Sequence, residues 1–277
     1  CLEGADEDLV VDCAGVPGGS AVEDECGVCN GDGTSCSTTV TDIDGNVYET
    51  VQIGEQLWMA ENLKVTKYRN GDSIPTDYSS SEWAAMYETE TGAYAIYPVD
   101  DDNASQETCG NDCSEIYGNL YNWYAVDDDR GICPAGFHVP TDDEYKELEI
   151  HLGMSVEEAN NIYWRGTNEG SKLAGNAELW NDENLESNSE FGTSGFNALP
   201  SGYRYSSHPS GTLSANYRGM SENVHFWCAS ESVLEEFSDD DNYDAMLRLF
   251  SWNESGVYRS QSYKTKGHSI RCLADVG

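Results

Sequence analysis

The chain has 277 residues, 38 % of them hydrophobic, with 17 Tyr and 7 Trp, so it is long enough and apolar enough to bury a core. Fourteen Lys and Arg face 51 Asp and Glu, a net charge of -37. Such a field repels nucleic acid and anionic membranes and suits divalent cations, cationic partners or a saline exterior. No run of about 20 apolar residues exists to span a bilayer.

Residues 1–37 form a segment of their own. The first 36 carry five cysteines and nine acids, with no Lys, Arg or aromatic residue. A segment of this kind builds no apolar core and needs disulfides or metal to hold a shape. Asp12, Asp24 and Asp32 are oxygen ligands of the type calcium prefers, although their spacing does not match an EF-hand. A stalk held by disulfides alone fits equally. Cys1 fits the lipidated cysteine of a mature bacterial lipoprotein, and fits an ordinary disulfide cysteine as well.

The pattern turns globular from residue 38 to 277. "TTVTDIDGNVYETVQI" alternates around Asp44-Gly45 and predicts a hairpin, with "LWMAENLKV" as a further strand. Three capping boxes predict helices: Ser79 with Glu82, Thr141 with Glu144, and Ser155 with Glu158. The polar stretch 98–116 reads as a surface loop, clasped by Cys109 and Cys113. After residue 165 the chain reads as short strands and long loops. Helices early and strands late predict an α+β fold with an antiparallel sheet, few helices and long loops.

Ten cysteines are many for a reduced cytosol. One CxxC (Cys26, Cys29) has no second pair at zinc spacing, and the five histidines show no metal-ligand spacing. Disulfides and an oxidising compartment follow. For catalysis there is no GxSxG, HExxH, P-loop or GxGxxG, so the chain reads as a non-enzyme. Asn103 stands in an N-x-S sequon with an acid two places earlier, and Ser73 in a "DSI" that resembles a short O-glycosylation signal.

Six segments in fixed order carry a resemblance: 40–75, "YGNLYNWYAVDDDRGICPAGFHVPTDDEYKEL" (117–148), "SKLAG" (171–175), "GFNALPSGYR" (195–204), "FWCASE" (226–231) and "KTKGHSIRCL" (264–273). Together they resemble the Fibrobacter succinogenes major paralogous domain, over residues 40–275. That resemblance implies a secreted protein or lipoprotein, at the extracellular or outer-membrane surface of a bacterium, with a C-type lectin-like fold and no established catalytic residues. The N-terminal segment resembles the Cys/Asp/Gly-rich repeats of secreted bacterial proteins.

The resemblance further implies Cys133–Cys272 as a disulfide tying the helical region to the last strand. Cys13, Cys26, Cys29 and Cys36 are then expected to pair among themselves. Cys228 departs from the serine-like residue usual at its position. Late loops are where such a fold places ligands, so "SDDDNYD" (238–244) offers Asp239, Asp240, Asp241 and Asp244 to calcium, against the plainer reading of a solvated acidic loop. Tyr121, Trp123, Tyr124 and Trp227 lie inside the family segments and read as core. Tyr203, Arg204, Tyr205, Tyr217, Arg218 and Trp252 read as the surface for a ligand. "WND" at residues 180–182 lies too far from the final cysteine to act as a lectin calcium motif.

Two functions are expected. One is a surface-attached adhesion protein that recognises a glycan or a cell-surface protein, supported by calcium. The other is a self-associating subunit of an extracellular filament, sheath or surface layer.

Overall fold

The computed structural model describes residues 11–13, 16, 19–22, 29, 39–98, 109, 112–207, 214–232 and 244–275. It divides into two compact units, Cys1–Thr38 and Thr39–Gly277. In the first, Cys13 is bonded to Cys29. Asp12 accepts hydrogen bonds from the amides of Val16 and Ala21, at 2.8 and 3.0 Å. Cys1, Asp24, Cys26, Asp32 and Cys36 lie outside the described residues.

The second unit is α+β, with mostly antiparallel strands and short helices. One sheet has the order β1 (Thr39–Thr41), β2 (Val47–Ile53), β3 (Gln56–Met59), β13 (Leu273–Ala274), β6 (Phe137–His138). β1 and β2 form the hairpin that Asp44-Gly45 predicts, with Gly45 at φ 89°. The acids of that turn serve the fold: Asp42 accepts from the Asp44 and Asn46 amides and from Tyr48 Oη, while Asp44 meets Lys67 Nζ at 2.7 Å. Of the predicted "LWMAENLKV" strand only residues 57–59 lie in β3, where they pair with β2 and, at Trp58, with β13.

A second sheet has the order β7 (Tyr163–Arg165), β12 (Val257–Tyr263), β11 (Asp244–Ser251), β10 (Asn223–Glu231), β8 (Ser201–Ser206), β9 (Ala215–Met220). Its β10–β8 pair is parallel; the other neighbours are antiparallel. β4 (Tyr94–Ala95) and β5 (Leu120–Tyr121) form a small ladder.

All three capping boxes form. They start α1 (Ser80–Ala84), α4 (Asp142–His151) and α5 (Val156–Ala159). The remaining helices are α2 (Cys113–Tyr117), α3 (Trp123–Val126) and α6 (Glu169–Leu173). α2 follows the Cys109–Cys113 disulfide. Side-chain oxygens of Asp112 and Asn122 cap α2 and α3.

The core forms two main groups, one around Trp123 and Trp227 and the other around Trp58, Phe196 and Phe226. The indoles named there satisfy their N–H groups: Trp123 donates to the Cys228 carbonyl, Trp227 to the Tyr121 carbonyl, and Trp58 to Gln56 Oε1. Tyr121, Trp123, Tyr124 and Trp227 are buried, as the sequence predicts.

α4 is joined to the second sheet by buried charge. Arg248, fully buried on β11, donates to Asp142 Oδ1 at 2.7 Å and to Glu149 Oε1 at 2.6 Å. Arg259 adds a bond to Asp142 Oδ2 at 2.7 Å, and Arg165 one to Glu149 at 2.8 Å. Burial works to raise the Asp142 carboxyl, but Arg259 and Arg248 outweigh it and hold the group well below the usual carboxylate range.

Cys133 and Cys272 are bonded across 139 positions of sequence. Chain entropy assigns such a closure about 5 kcal/mol. The Cys133→Ala/Cys272→Ala variant should therefore unfold at a lower urea midpoint, corresponding to a loss of about 3–5 kcal/mol. An unchanged midpoint would contradict that role.

Candidate ligand site

A cleft of the second unit lies along β12. It holds about 330 Å³ and is lined by Tyr163, Asp244, Tyr258, Gln261, Tyr263 and Lys266, with Ser260 and Ser262 between them. It exists because β7 is short. β7 pairs β12 only at residues 257–259. Beyond Arg259, no strand among the described residues covers that side of β12.

β7 stops at Tyr163, whose φ is 68°. A bulky side chain in the left-handed region costs on the order of 1–3 kcal/mol, and such strain collects at functional sites. Here the left-handed residue departs from strand alternation at a place where two successive side chains serve one cluster. Trp164 pairs directly with Tyr258 across the strands, their rings 5.1 Å apart, and the Tyr163 ring also lies 5.8 Å from Tyr258. Tyr163 and Trp164 remain 41 % and 39 % exposed. Three rings thus share one partly solvated surface beside the cleft. Trp164 also lines an adjoining polar hollow of about 220 Å³ with Thr167, Asn184 and Glu254.

The expected ligand residues separate by strand alternation. On β8 and β9, Tyr203 faces Arg218, and Tyr205 faces Asn216. The Arg218 guanidinium lies 4.1 Å from the centre of the Tyr205 ring, and Lys266 Nζ lies 5.6 Å from the same ring. Tyr205 and Arg218 therefore adjoin the cleft through Lys266. Arg204 and Tyr217 belong to the other face. Arg204 is 5 % exposed, stacks 4.2 Å over Trp83 and donates to the Tyr78 carbonyl. Tyr217 packs on Tyr97, and Trp252 is half-buried against the second core group. These three belong to packing instead of the expected surface, because inward-facing positions of this sheet are as aromatic as outward ones.

Asp244 is likewise corrected. It is the first residue of β11, 6 % exposed, and accepts a bond from Gln261 Nε2 at 3.0 Å. It is a strand residue at the cleft, not a member of an open acidic loop. Asp239, Asp240, Asp241 and Asn103 lie outside the described residues. Ser73 is exposed beside a short bridge to Lys67. Among the described residues, no three His, Cys, Asp or Glu side chains converge as a metal site. Cys228 is an unpaired, buried thiol pushed up to about 12 by burial, which makes it inert.

The family described as Fibrobacter succinogenes major domain matches residues 51–274. The chain belongs to this family. In this Fibrobacter succinogenes major domain, the matched span holds the whole β12 cleft and both residues of the Cys133–Cys272 bond. No curated protein and no solved structure matches the chain.

Tyr163, Tyr258, Gln261 and Tyr263 belong to no motif that the sequence singles out, and Lys266 lies inside "KTKGHSIRCL" (264–273). "YWRG" (163–166) offers a signal: two successive rings at a short edge strand cannot both be core if alternation holds.

Behind the cleft two imidazoles are stacked. His225 and His268 lie 4.8 Å apart at 12°, between Tyr203 and Trp227. His268 Nε2 meets Ser262 Oγ at 3.0 Å. Burial pushes His225 down to about 3, with Lys266 adding to the effect. Burial, His225 and Lys266 hold His268 well below its ordinary range. Both rings stay neutral in the fold, whereas the unfolded chain takes up protons near pH 6.5. Their contribution to stability is therefore present above about pH 6.5 and lost as pH falls toward the folded value. His138 acts oppositely: its bonds to Glu144 and Asp275 raise it, so its contribution fades as pH rises. The thermal midpoint should fall between pH 7 and pH 4, with a shallower fall in His225→Gln. An equal fall in both proteins would remove the pair as its cause.

Proposed function

We propose that the chain is an extracellular, surface-attached binding protein of a bacterium, whose C-type lectin-like domain recognises a glycan or protein ligand at the β12 cleft. The observation that carries this reading is the ring cluster of Tyr163, Trp164 and Tyr258, left partly exposed by a strained Tyr163 beside a polar-lined hollow. Aromatic faces next to hydroxyl, amide and charged groups suit the apolar face and polar rim of a sugar ring, or an anchoring side chain of a protein.

Three observations support the lectin-like part. The last strand pairs with the early strand β3, and the Cys133–Cys272 bond ties the entry to α4 to that last strand. Long connections join the later strands. Disulfides among the described residues support an oxidising exterior. Calcium support is part of the same reading and rests on the acidic composition of the chain.

The intact protein should give a reproducible signal on a broad glycan array or on a panel of cell-surface proteins, measured with and without chelator. Tyr258→Ala and Tyr163→Ala should each weaken it about tenfold or more, as central aromatic contacts do. Silence across both panels, or binding indifferent to both substitutions, would overturn the proposal.

A further inference from the structure

All fourteen basic side chains of the chain lie among the described residues. In a molecule with 51 acids each has ample choice of partners. Most form ion pairs, including the buried Arg165, Arg248 and Arg259 and the surface Lys64, Lys67 and Arg130. Lys146, Lys172 and Lys264 do the same. Three others are consumed by the fold: Arg69 donates to the Cys133 and Phe137 carbonyls, Arg204 stacks on Trp83, and Arg271 is buried against carbonyls and Asn62.

Arg218 and Lys266 are left. Neither forms an ion pair among the described residues, yet they converge on one ring, Tyr205, at 4.1 and 5.6 Å. Lys266 also lies 5.2 Å from the Tyr263 ring. Arg218 spends its Nε on Asn216 Oδ1, at 3.1 Å, and its two terminal nitrogens have no acceptor among the described residues. Lys266 lines the β12 cleft, a position shared with Tyr163 and Tyr258. Burial depresses the Lys266 ammonium most, and Arg218 adds a lowering smaller than the rise that Asp244 causes. Asp244 works the other way, but its carboxylate is almost wholly covered and one oxygen is taken by Gln261.

A pair of cations held together by a ring, with donors left over, is a receptor for an anionic group. The guanidinium fork matches a carboxylate or sulfate, and the ammonium adds a point charge. The net charge of -37 repels anions, so a local pair of cations is what would admit one. We propose that the cleft takes an acidic saccharide: Arg218 and Lys266 hold its carboxylate or sulfate over Tyr205, and the sugar body packs on Tyr258 and Tyr163. This rests on the binding reading above and gives its ligand a charge.

The test is a panel of paired saccharides, each acidic member beside its neutral counterpart: uronate oligomers with their methyl esters, and sulfated chains with their desulfated forms. Inorganic sulfate alone is a further arm. The full chain should bind at least one acidic member tenfold or more tighter than its neutral partner. Arg218→Gln, an exposed position where folding is not at issue, should abolish that preference while retaining weak binding to both members. Lys266→Gln should do the same, with its thermal midpoint recorded alongside. Neutral members bound as tightly as acidic ones, or a preference untouched by Arg218→Gln, would overturn the inference and leave the binding reading standing. Silence of the whole saccharide panel would overturn this inference; binding to cell-surface proteins lost on Tyr258→Ala would show that the broader reading survives it. Sulfate alone matching the acidic saccharides would reduce the site to a simple anion site and overturn the saccharide.

Discussion

The Arg248 guanidinium, buried between Asp142 and Glu149, is the constraint on which the second unit depends. It lies on β11, while both carboxylates lie on α4, one at the first turn and one near the last. Arg259 on β12 and Arg165 on β7 complete the set. Four elements that are distant in sequence are thereby fixed to one another by charge-assisted bonds that water cannot replace. Removing one member of such a cluster leaves another buried and unpaired, a penalty larger than the worth of the intact bonds.

That arrangement explains how a strained residue can stand at the edge of the sheet. Arg165 anchors β7 from its inner side, and Val257 opposite it is buried. With the strand held there, Tyr163 can take up a left-handed backbone and contribute its ring to the cluster of Trp164 and Tyr258. The same anchoring fixes β12, and with it the cleft and Lys266. Structural charge and candidate binding charge are therefore separate populations: one buried in ion pairs, the other sharing the Tyr205 ring without an ion pair among the described residues.

What the sequence made legible was mostly local. A capping box needs only Ser or Thr and a Glu three places on, and all three predicted ones form. The Asp44-Gly45 turn is equally local. The Cys133–Cys272 bond was reached through family resemblance, since no local signal links residues so far apart. The site was less legible. Arg204 and Tyr217 read in sequence like Tyr205 and Arg218, yet they lie on the packed face. The two pairs are neighbours in sequence and lie on opposite faces, and both faces of β8 and β9 carry rings. Asp244 continues an acidic run in sequence but begins a strand in space. Tyr163 leaves only the faint signal of two successive rings in "YWRG", because its backbone conformation is imposed by the sheet edge.

The buried charge cluster holds α4, β7, β11 and β12 as one cooperative frame beneath the cleft. Hydrogen exchange of the intact protein and of Arg248→Met tests it directly. Arg248→Met should lose about 3–5 kcal/mol of stability, with amide protection falling together across 142–151, 163–165 and 244–263. Protection lost only around residue 248, with the rest exchanging as before, would contradict it.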